Sequence, residues 1–219
     1  MNKSNNFFYK FTNFLLSITI ALFLISLSVN ITLSFKKLYY LDIDYLNISE
    51  NYGMQKEEII KNYDILIDYL KNKNITKLNM PSFKTSKEGE IHFAEVKNIF
   101  IKFNTIMYIT FFLSLFGIFY KIKKRNFKFL KLSSIFLISI PILLSVPFAI
   151  NFDKSFTIFH KIFFNNDYWE FDPELDPIIN VLPEEFFFHC AIFILAILSI
   201  FSIILYLSYI KIKRHHNEI

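Results

Sequence analysis

The sequence predicts an all-α membrane protein with four transmembrane helices and a helical extracytoplasmic cap, folded as a single membrane domain over residues 1–219. Of its residues 53% are apolar, and four stretches contain no Asp, Glu, Lys or Arg: 11–35, 103–120, 132–152 and 186–210. Each stretch is 18 to 25 residues long, and a helix needs about 20 apolar residues to cross a bilayer core. Lipid offers the backbone no hydrogen-bond partners, so we expect each stretch to be helical.

The first stretch is expected to remain on the protein as an anchor. A cleaved secretory signal has a shorter apolar region, which ends in small residues of the A-x-A type. Residues 11–35 lack that cleavage pattern and are longer than an ordinary signal. Both features favour an uncleaved first membrane span.

The short loops differ in charge, and this difference predicts how the spans are oriented. The loop 121–131 carries six Lys or Arg side chains and no acid, whereas 153–185 carries eight acids against two Lys. Cytoplasmic loops are enriched in Lys and Arg. We therefore expect both termini and the loop 121–131 to be cytoplasmic, and the outer segments 36–102 and 153–185 to lie outside.

The outer segment 36–102 contains two helical patterns separated by a polar connector. Within 55–71, apolar residues recur at helical spacing, with charged residues on the opposite face. This helix either packs against its neighbours, which its mixed polar face favours, or rests on the outer leaflet. The connector 72–90 holds Pro81 and Gly89. The second helix begins directly after it and should run unbroken into the second span.

Composition argues against several classes of function. The net charge of +5 does not indicate nucleic-acid binding, because the positive excess lies in the predicted cytoplasmic loop and tail, where anionic lipid attracts it. No serine lies in a G-x-S-x-G elbow, so a serine hydrolase has no support. The single cysteine, Cys190, excludes an internal disulfide and a C-x-x-C redox pair.

Two histidines in the outer segments are the candidates for chemistry. His92 begins the second helical pattern, and Glu95 follows three residues later on the same helix face. His160 lies in 156–186, which holds the only Trp and three of the six prolines. An imidazole titrates near neutrality and can both take and give a proton. A single such histidine would ordinarily be structural, but two with carboxylates nearby indicate acid–base chemistry.

Other interpretations of these side chains remain open at this point. The outer imidazoles and carboxylates could serve as metal ligands, and the candidate ligands are His92, Glu95, His160, Asp167 and Glu184. No H-E-x-x-H motif supports a metal site. A third histidine, His189, lies near the outer end of the fourth span and is interpreted as a capping or interface residue.

Two motifs give the chain a resemblance to the lipoprotein intramolecular transacylase family, Lit. The first motif is S-K-E-G-E-I-H-F-A-E-V-K at 86–97. The second motif is F-H-K-I-F-F-N-N-D-Y-W-E-F-D-P-E-L-D-P-I-I-N-V-L-P-E-E-F-F at 159–187. The resemblance covers nearly the whole chain, including four spans and both outer segments. Phe93 and Glu95 stand where the family pattern has Met and Asp, which keeps the apolar and acidic characters.

The resemblance implies a multi-pass acyltransferase of the bacterial cell membrane with its active site on the outer face. Such enzymes move an acyl chain from the diacylglyceryl group to the α-amino group of the N-terminal Cys of a lipoprotein, giving the lyso form. The implied partners are diacylglyceryl-modified lipoproteins and membrane lipid, with no nucleic acid, no cofactor and no metal. The alternative is a non-catalytic membrane protein that binds lipoproteins or envelope components through its outer cap.

By motif, the implied catalytic residues are His92 and His160. Either one takes the amine proton while the other protonates the departing glyceryl oxygen, or an acyl-histidine intermediate forms. Supporting or substrate-binding residues are expected among the nearby polar side chains: Glu95, Asn165, Asn166, Asp167, Trp169, Asp172, Asp176 and Glu184. The N–H groups among them are expected to stabilise an oxyanion, and the carboxylates to orient the imidazoles or attract the cationic amine.

Overall fold

The computed structural model describes residues 3–217, with side chains for 7–215. Every regular element in that range is helical, which confirms the all-α prediction. The helices are α1 (Lys3–Ser34), α2 (Lys37–Tyr45), α3 (Ile48–Tyr52), α4 (Lys56–Lys71), α5 (Lys87–Lys123), α6 (Lys128–Ile150), α7 (Phe152–Phe163) and α8 (Glu184–Asn217). A 3₁₀ turn at Pro177–Val181 precedes α8.

Four of the helices are long and apolar enough to cross a membrane, as judged on the described residues. They are Phe7–Ser34, Lys87–Lys123, Lys128–Ile150 and Glu184–His215, and each overlaps one predicted charge-free stretch. In the second and fourth of these helices, only 11% of the most apolar 18-residue stretch is buried within the protein. Apolar surface exposed on this scale indicates contact with lipid. The predicted number of spans therefore agrees with the structure.

The junction between α6 and α7 lies inside the predicted third span. α6 ends at Ile150, two residues before the predicted end at 152. The reason is Asn151, whose side-chain oxygen accepts a hydrogen bond from the backbone N–H of Lys154 at 2.9 Å and so caps a new helix. α6 itself is continuous through Pro141 and Pro147, which membrane helices tolerate when neighbouring groups satisfy the freed backbone.

The outer segment 36–102 is more helical than the sequence suggested. α4 matches the predicted helix at 55–71, and its apolar stripe is buried in a core, so the packing interpretation is confirmed. α2 and α3 were not predicted. They are 9 and 5 residues long, shorter than the window over which a helical period can be recognised.

α5 begins at Lys87, inside the predicted connector, and continues without a break to Lys123. Its 37 residues correspond to a length of about 55 Å, against a bilayer core of about 30 Å. The helix is therefore long enough to cross the core and still carry residues outside it. His92 lies on the first part of α5, about three turns before the charge-free stretch 103–120.

The chain divides into two compact units, of which the first contains the described residues up to Val29, Asn104–Val146 and those from Ile194 onward. Hydroxyl groups join its helices. Ser17 Oγ donates a hydrogen bond either to its own helix or to the carbonyl of Phe129 at 3.1 Å. Ser202 Oγ donates to the carbonyl of Ser134 at 2.9 Å. Such bonds stabilise helix contacts where no hydrophobic effect separates protein from lipid.

The second unit, Asn30–Phe103 and Pro147–Phe193, contains the candidate site. Its core is rich in aromatic rings. The rings of Tyr39 and Tyr63 stack at 4.0 Å between centroids, and the Tyr39 hydroxyl donates to the carbonyl of Val181 at 2.5 Å. Phe93 of α5 belongs to the same buried cluster. This core fixes the beginning of α5 against the rest of the unit.

Candidate active site

The first turn of α5 is held by a buried carboxylate. Ser86 caps the helix, since its Oγ accepts a hydrogen bond from the N–H of Gly89 at 2.9 Å. Asp176 accepts from the Ser86 N–H at 2.8 Å and from the Ser86 hydroxyl at 2.6 Å. A Cβ on Gly89 would lie 2.3 Å from Asp176 Oδ1, so glycine leaves the room that the carboxylate needs. This arrangement fixes the helix turn that precedes His92.

His160 lies in the last turn of α7 and has a defined tautomer. Its Nδ1 lies 2.8 Å from the carbonyl oxygen of Phe156. A carbonyl can only accept, so Nδ1 carries the hydrogen and Nε2 of the neutral ring is an acceptor. The carbonyl of His160 in turn accepts the N–H of Phe164 at 2.8 Å, which ends the helix.

The two imidazoles come together in an aromatic enclosure. The His92 and His160 ring centroids are 6.1 Å apart, and both side chains are buried. Phe164 contacts both rings, at 4.7 Å from His92 and 5.6 Å from His160. Phe171 lies 5.4 Å from His92, and Phe156 lies 4.1 Å from His160. Both imidazoles can therefore contact one bound ligand in a largely apolar setting.

Burial keeps both rings neutral near pH 7. Burial, with repulsion from His160 as the smaller cause, lowers the pKa of His92 to about 4. It also lowers the pKa of His160, although the hydrogen bond to the Phe156 carbonyl favours the charged form in part. A neutral imidazole is the form that accepts a proton, so both rings are ready to act as bases.

Trp169 covers the His160 ring. The two rings stack with 4.7 Å between centroids and an angle of 28° between their planes. The indole N–H of Trp169 is buried and has no hydrogen-bond partner among the residues that the structure describes. This N–H is therefore available to donate a hydrogen bond to a ligand that lies beside His160.

Glu95 is held by Asn166, so the helix α5 and the segment that follows α7 are joined beside the histidines. Asn166 Nδ2 donates to Glu95 Oε1 at 3.0 Å, and Asn166 Oδ1 accepts the N–H of Tyr168 at 3.1 Å. Oε1 of Glu95 is therefore bonded to the Asn166 amide and not to either imidazole. Its second oxygen, Oε2, is buried without a partner in the described part of the chain.

Three buried polar atoms without a protein partner lie in this one site. They are His92 Nδ1, Glu95 Oε2 and Trp169 Nε1, within the described side chains. Nearly all buried polar groups in proteins are hydrogen-bonded, and an exception calls for an explanation. The carboxylate oxygen can accept a hydrogen bond, the indole N–H can donate one, and the ring nitrogen can do either. Together they can bind a ligand that has both a donor and an acceptor.

The remaining predicted side chains lie at exposed positions: Asn165, Asp167, Asp172 and Glu184. Asp172 accepts the N–H of Glu174 at 2.8 Å within a turn. Partial burial raises the pKa of the Glu184 carboxyl, and a hydrogen bond with Asp153 raises it further. Asp176, by contrast, is buried at the start of α5 and does not bond to either imidazole.

His189 has a partner that the sequence did not indicate. Its Nδ1 lies 2.8 Å from Oδ1 of Asp42, a buried carboxylate of α2. The two residues are far apart in the chain, and α2 was not predicted, so no sequence signal joined them. Instead of acting as a cap or an interface residue alone, His189 links α2 and α8 within the second unit.

Among the described residues, no group of three or more His, Cys, Asp or Glu side chains is arranged to hold a metal ion. The five candidate ligands are divided by the structure. His92 and His160 face one aromatic enclosure, whereas Asp167 and Glu184 are exposed. The site therefore offers imidazoles for proton transfer but no three-ligand set.

Comparison with protein families identifies the group to which this chain is related. Residues 14–187 match the family model described as lipoprotein intramolecular transacylase Lit. The chain belongs to this family. Membership in the Lit family makes it a membrane-integral enzyme that acts on lipoproteins, and it implies a bacterial membrane as its environment.

Solved structures of Lit from Bacillus cereus agree with this assignment over nearly the whole chain. One in meso structure aligns with a TM-score of 0.92 and 43% identity, covering 96% of this chain and 98% of that one. A second, of a variant in which one histidine is replaced by alanine, aligns with a TM-score of 0.91 and 42% identity and covers 98% of each chain. Among curated proteins no match was found.

Replacing Asp176 with Ala should lower stability because it leaves two donors of the half-buried Ser86, its N–H and its hydroxyl, without their acceptor. The expected cost is about 1–3 kcal/mol in the free energy of unfolding, measured as a loss of thermal stability in detergent. Glu174→Ala is the matched control, since it removes an exposed carboxylate two residues away. Equal stability of both variants would contradict the anchoring role of Asp176.

The lowered histidine pKa values predict a stability that decreases on acidification. The unfolded chain takes up protons below the ordinary pKa of about 6.5, whereas the folded His92 stays neutral down to about pH 4. The thermal midpoint should therefore fall as pH is lowered through this window. His92→Gln should reduce the slope and His215→Gln should not. An imidazolium signal from His92 in ¹⁵N NMR at pH 6.5 would refute the prediction.

Proposed function

We propose that the protein transfers an acyl chain from the diacylglyceryl group of a lipoprotein to the α-amino group of its N-terminal Cys. The observation that carries this proposal is the pair of buried neutral imidazoles, whose ring centroids are 6.1 Å apart. The same site holds the three buried polar atoms without a protein partner, one of which is His92 Nδ1. The amine nitrogen attacks the ester carbonyl, the new amide bond forms and the bond to the glyceryl oxygen breaks. Donor and acceptor belong to one substrate molecule, so holding them together contributes much of the rate enhancement.

A single proton has to pass from the amine to the glyceryl oxygen. Both imidazoles start neutral, because burial lowers the pKa of each. Neither therefore holds a proton to give until it has taken one from the amine. The α-amino group has an ordinary pKa near 8, so a base of modest strength is enough. An amine that arrives as the cation first releases one proton to solvent and so becomes the nucleophile. The proton that the neutral amine loses on forming the amide then passes within the site to the departing glyceryl oxygen.

His160 is assigned as the base that first accepts this proton. Its Nδ1–H is committed to the Phe156 carbonyl, which leaves Nε2 as the acceptor and fixes the plane of the ring. His92 then acts on the glyceryl oxygen, receiving the proton from His160 or sharing its transfer. The low pKa of His92, about 4, makes its imidazolium a strong acid and suits it to protonating a leaving alkoxide.

The unpartnered polar atoms are assigned to the two ends of the reacting group. Glu95 Oε2 accepts a hydrogen bond from the amine, and Asn166 keeps the carboxylate in place through Oε1. Trp169 Nε1 donates to the oxyanion that develops on the carbonyl oxygen. An ester carries no charge, so recognition of the acyl chains is assigned to the surrounding rings: Phe156, Phe164 and Phe171.

The side chains that lie away from the imidazoles are assigned to substrate approach. Asn165, Asp167, Asp172 and Glu184 are exposed, and the segment 153–185 carries eight acids against two Lys. A negative field of this kind attracts the cationic N-terminus of a lipoprotein. The charge of the loops also supports an orientation in which both termini are cytoplasmic and the site faces outward.

Replacing either His92 or His160 with Ala should reduce formation of the lyso product by at least about 100-fold, the contribution expected of a general acid or base. Mass spectrometry of the N-terminal peptide of a reporter lipoprotein measures the product. His215→Ala is the matched control, since His215 lies exposed at the end of α8. Normal product from both single variants, at equal protein level, would show that these histidines are not catalytic.

Trp169→Phe should keep the stack on His160 and remove the indole donor. We expect kcat to fall by about 100-fold, as for the loss of one oxyanion donor, with KM changed much less. Tyr168→Phe, at an exposed position beside it, serves as the control. A loss confined to KM would instead assign Trp169 to substrate binding and would contradict its role as an oxyanion donor.

A further inference from the structure

A basic cavity lies in the first unit, distant in the chain from the histidine site. It lies between the start of α6 and the end of α8 and has a volume of about 320 Å³. The lining residues are Lys131, Tyr206, Tyr209, Ile210, Lys213 and Arg214. Three of the six are cations, two offer a phenolic hydroxyl and none is acidic. The reaction assigned above uses none of them.

The spacing of these residues explains how the cavity forms. Tyr206, Ile210 and Arg214 follow one another at intervals of four on α8, and Lys213 follows Tyr209 in the same way. Residues four apart lie on the same side of a helix, so the two rows face one direction, toward Lys131 of α6. Lys211 carries the same charge as Lys213 and lies on the same helix, but it does not line the cavity.

The cavity has unbalanced positive charge. Among the described side chains, no carboxylate lies within ion-pair distance of any of its three cations, because every ion pair found joins residues of the second unit. Cations that share a concave surface without an acid attract an anion. The two phenol groups add hydrogen-bond donors that suit the oxygens of a phosphate.

The membrane surroundings favour a lipid over a dissolved anion. The cavity lies at the end of the charge-free stretch 186–210, where a span passes into the headgroup region. Ile203, Ile204 and Leu207 are each more than half exposed just before it, so they offer apolar surface for acyl chains. Basic pockets between membrane helices on the cytoplasmic side bind anionic headgroups.

From these observations we infer that the cavity between α6 and α8 binds the phosphate headgroup of an anionic phospholipid. Lys131, Lys213 and Arg214 contact the phosphate, and the hydroxyls of Tyr206 and Tyr209 donate to its oxygens. The acyl chains lie along the exposed apolar face of α8. The site takes a structural lipid and is separate from the transacylase reaction.

Native mass spectrometry of the full-length protein in detergent tests this assignment. The probes are phosphatidylglycerol and phosphatidylcholine with the same acyl chains, and inorganic phosphate in a separate arm. We expect retention of phosphatidylglycerol alone, and about a fivefold loss of affinity for each of Lys213→Gln and Arg214→Gln, the scale of one basic residue near a membrane surface. Lys211→Gln should leave binding unchanged.

A second pair of variants separates a built site from simple charge attraction. Tyr206→Phe and Tyr209→Phe keep every charge, so a combined loss of at least twofold supports the site. An equal loss in Lys211→Gln and the cavity variants would overturn the proposal, as would equal retention of both lipids. Retention of inorganic phosphate as strong as that of phosphatidylglycerol would also overturn it, since it would assign the cavity to a soluble anion. Thermal unfolding of each variant without added lipid checks that the fold is intact.

Discussion

The chemistry proposed for this protein depends on bringing two neutral imidazoles together in a buried aromatic enclosure. His92 and His160 come from different helices and meet within a set of phenylalanine rings and one indole. Burial disfavours the imidazolium, and a proton on one ring would repel a proton on the other. The enclosure that we propose for the acyl chains therefore also keeps both imidazoles unprotonated at neutral pH. In the proposed mechanism, substrate recognition and the neutral state of the bases have one physical cause.

Such a site requires firm anchors, because aromatic packing alone permits small shifts of the rings. The structure provides polar anchors on both sides of the pair. Asp176 holds the start of α5 through Ser86, and Asn166 joins the segment after α7 to Glu95. In each case a polar group from the acidic loop reaches α5. The loop that is acidic in sequence thus helps to position the proposed catalytic groups as well as contributing to the charge of the surface.

The spans could be predicted and the two histidines could be singled out because each leaves a strong local signal. Long charge-free stretches indicate membrane helices, and the motifs around His92 and His160 carried the resemblance to the Lit family. The roles of individual polar side chains could not be separated in advance. Asp172 and Asp176 look alike in the sequence. Asp172 lies exposed in a turn, whereas Asp176 is buried against the start of α5. Only long-range packing distinguishes them.

His189 and His160 differ in the group that faces Nδ1 of the ring. Nδ1 of His189 faces a carboxylate, whereas Nδ1 of His160 faces the neutral carbonyl of Phe156. A carboxylate in the place of that carbonyl would favour the charged ring and would remove the neutral base that the proposed proton transfer needs. A backbone carbonyl fixes the tautomer with much less of this effect. The helix that ends at Phe163 thus supplies orientation to His160 while burial sets its charge.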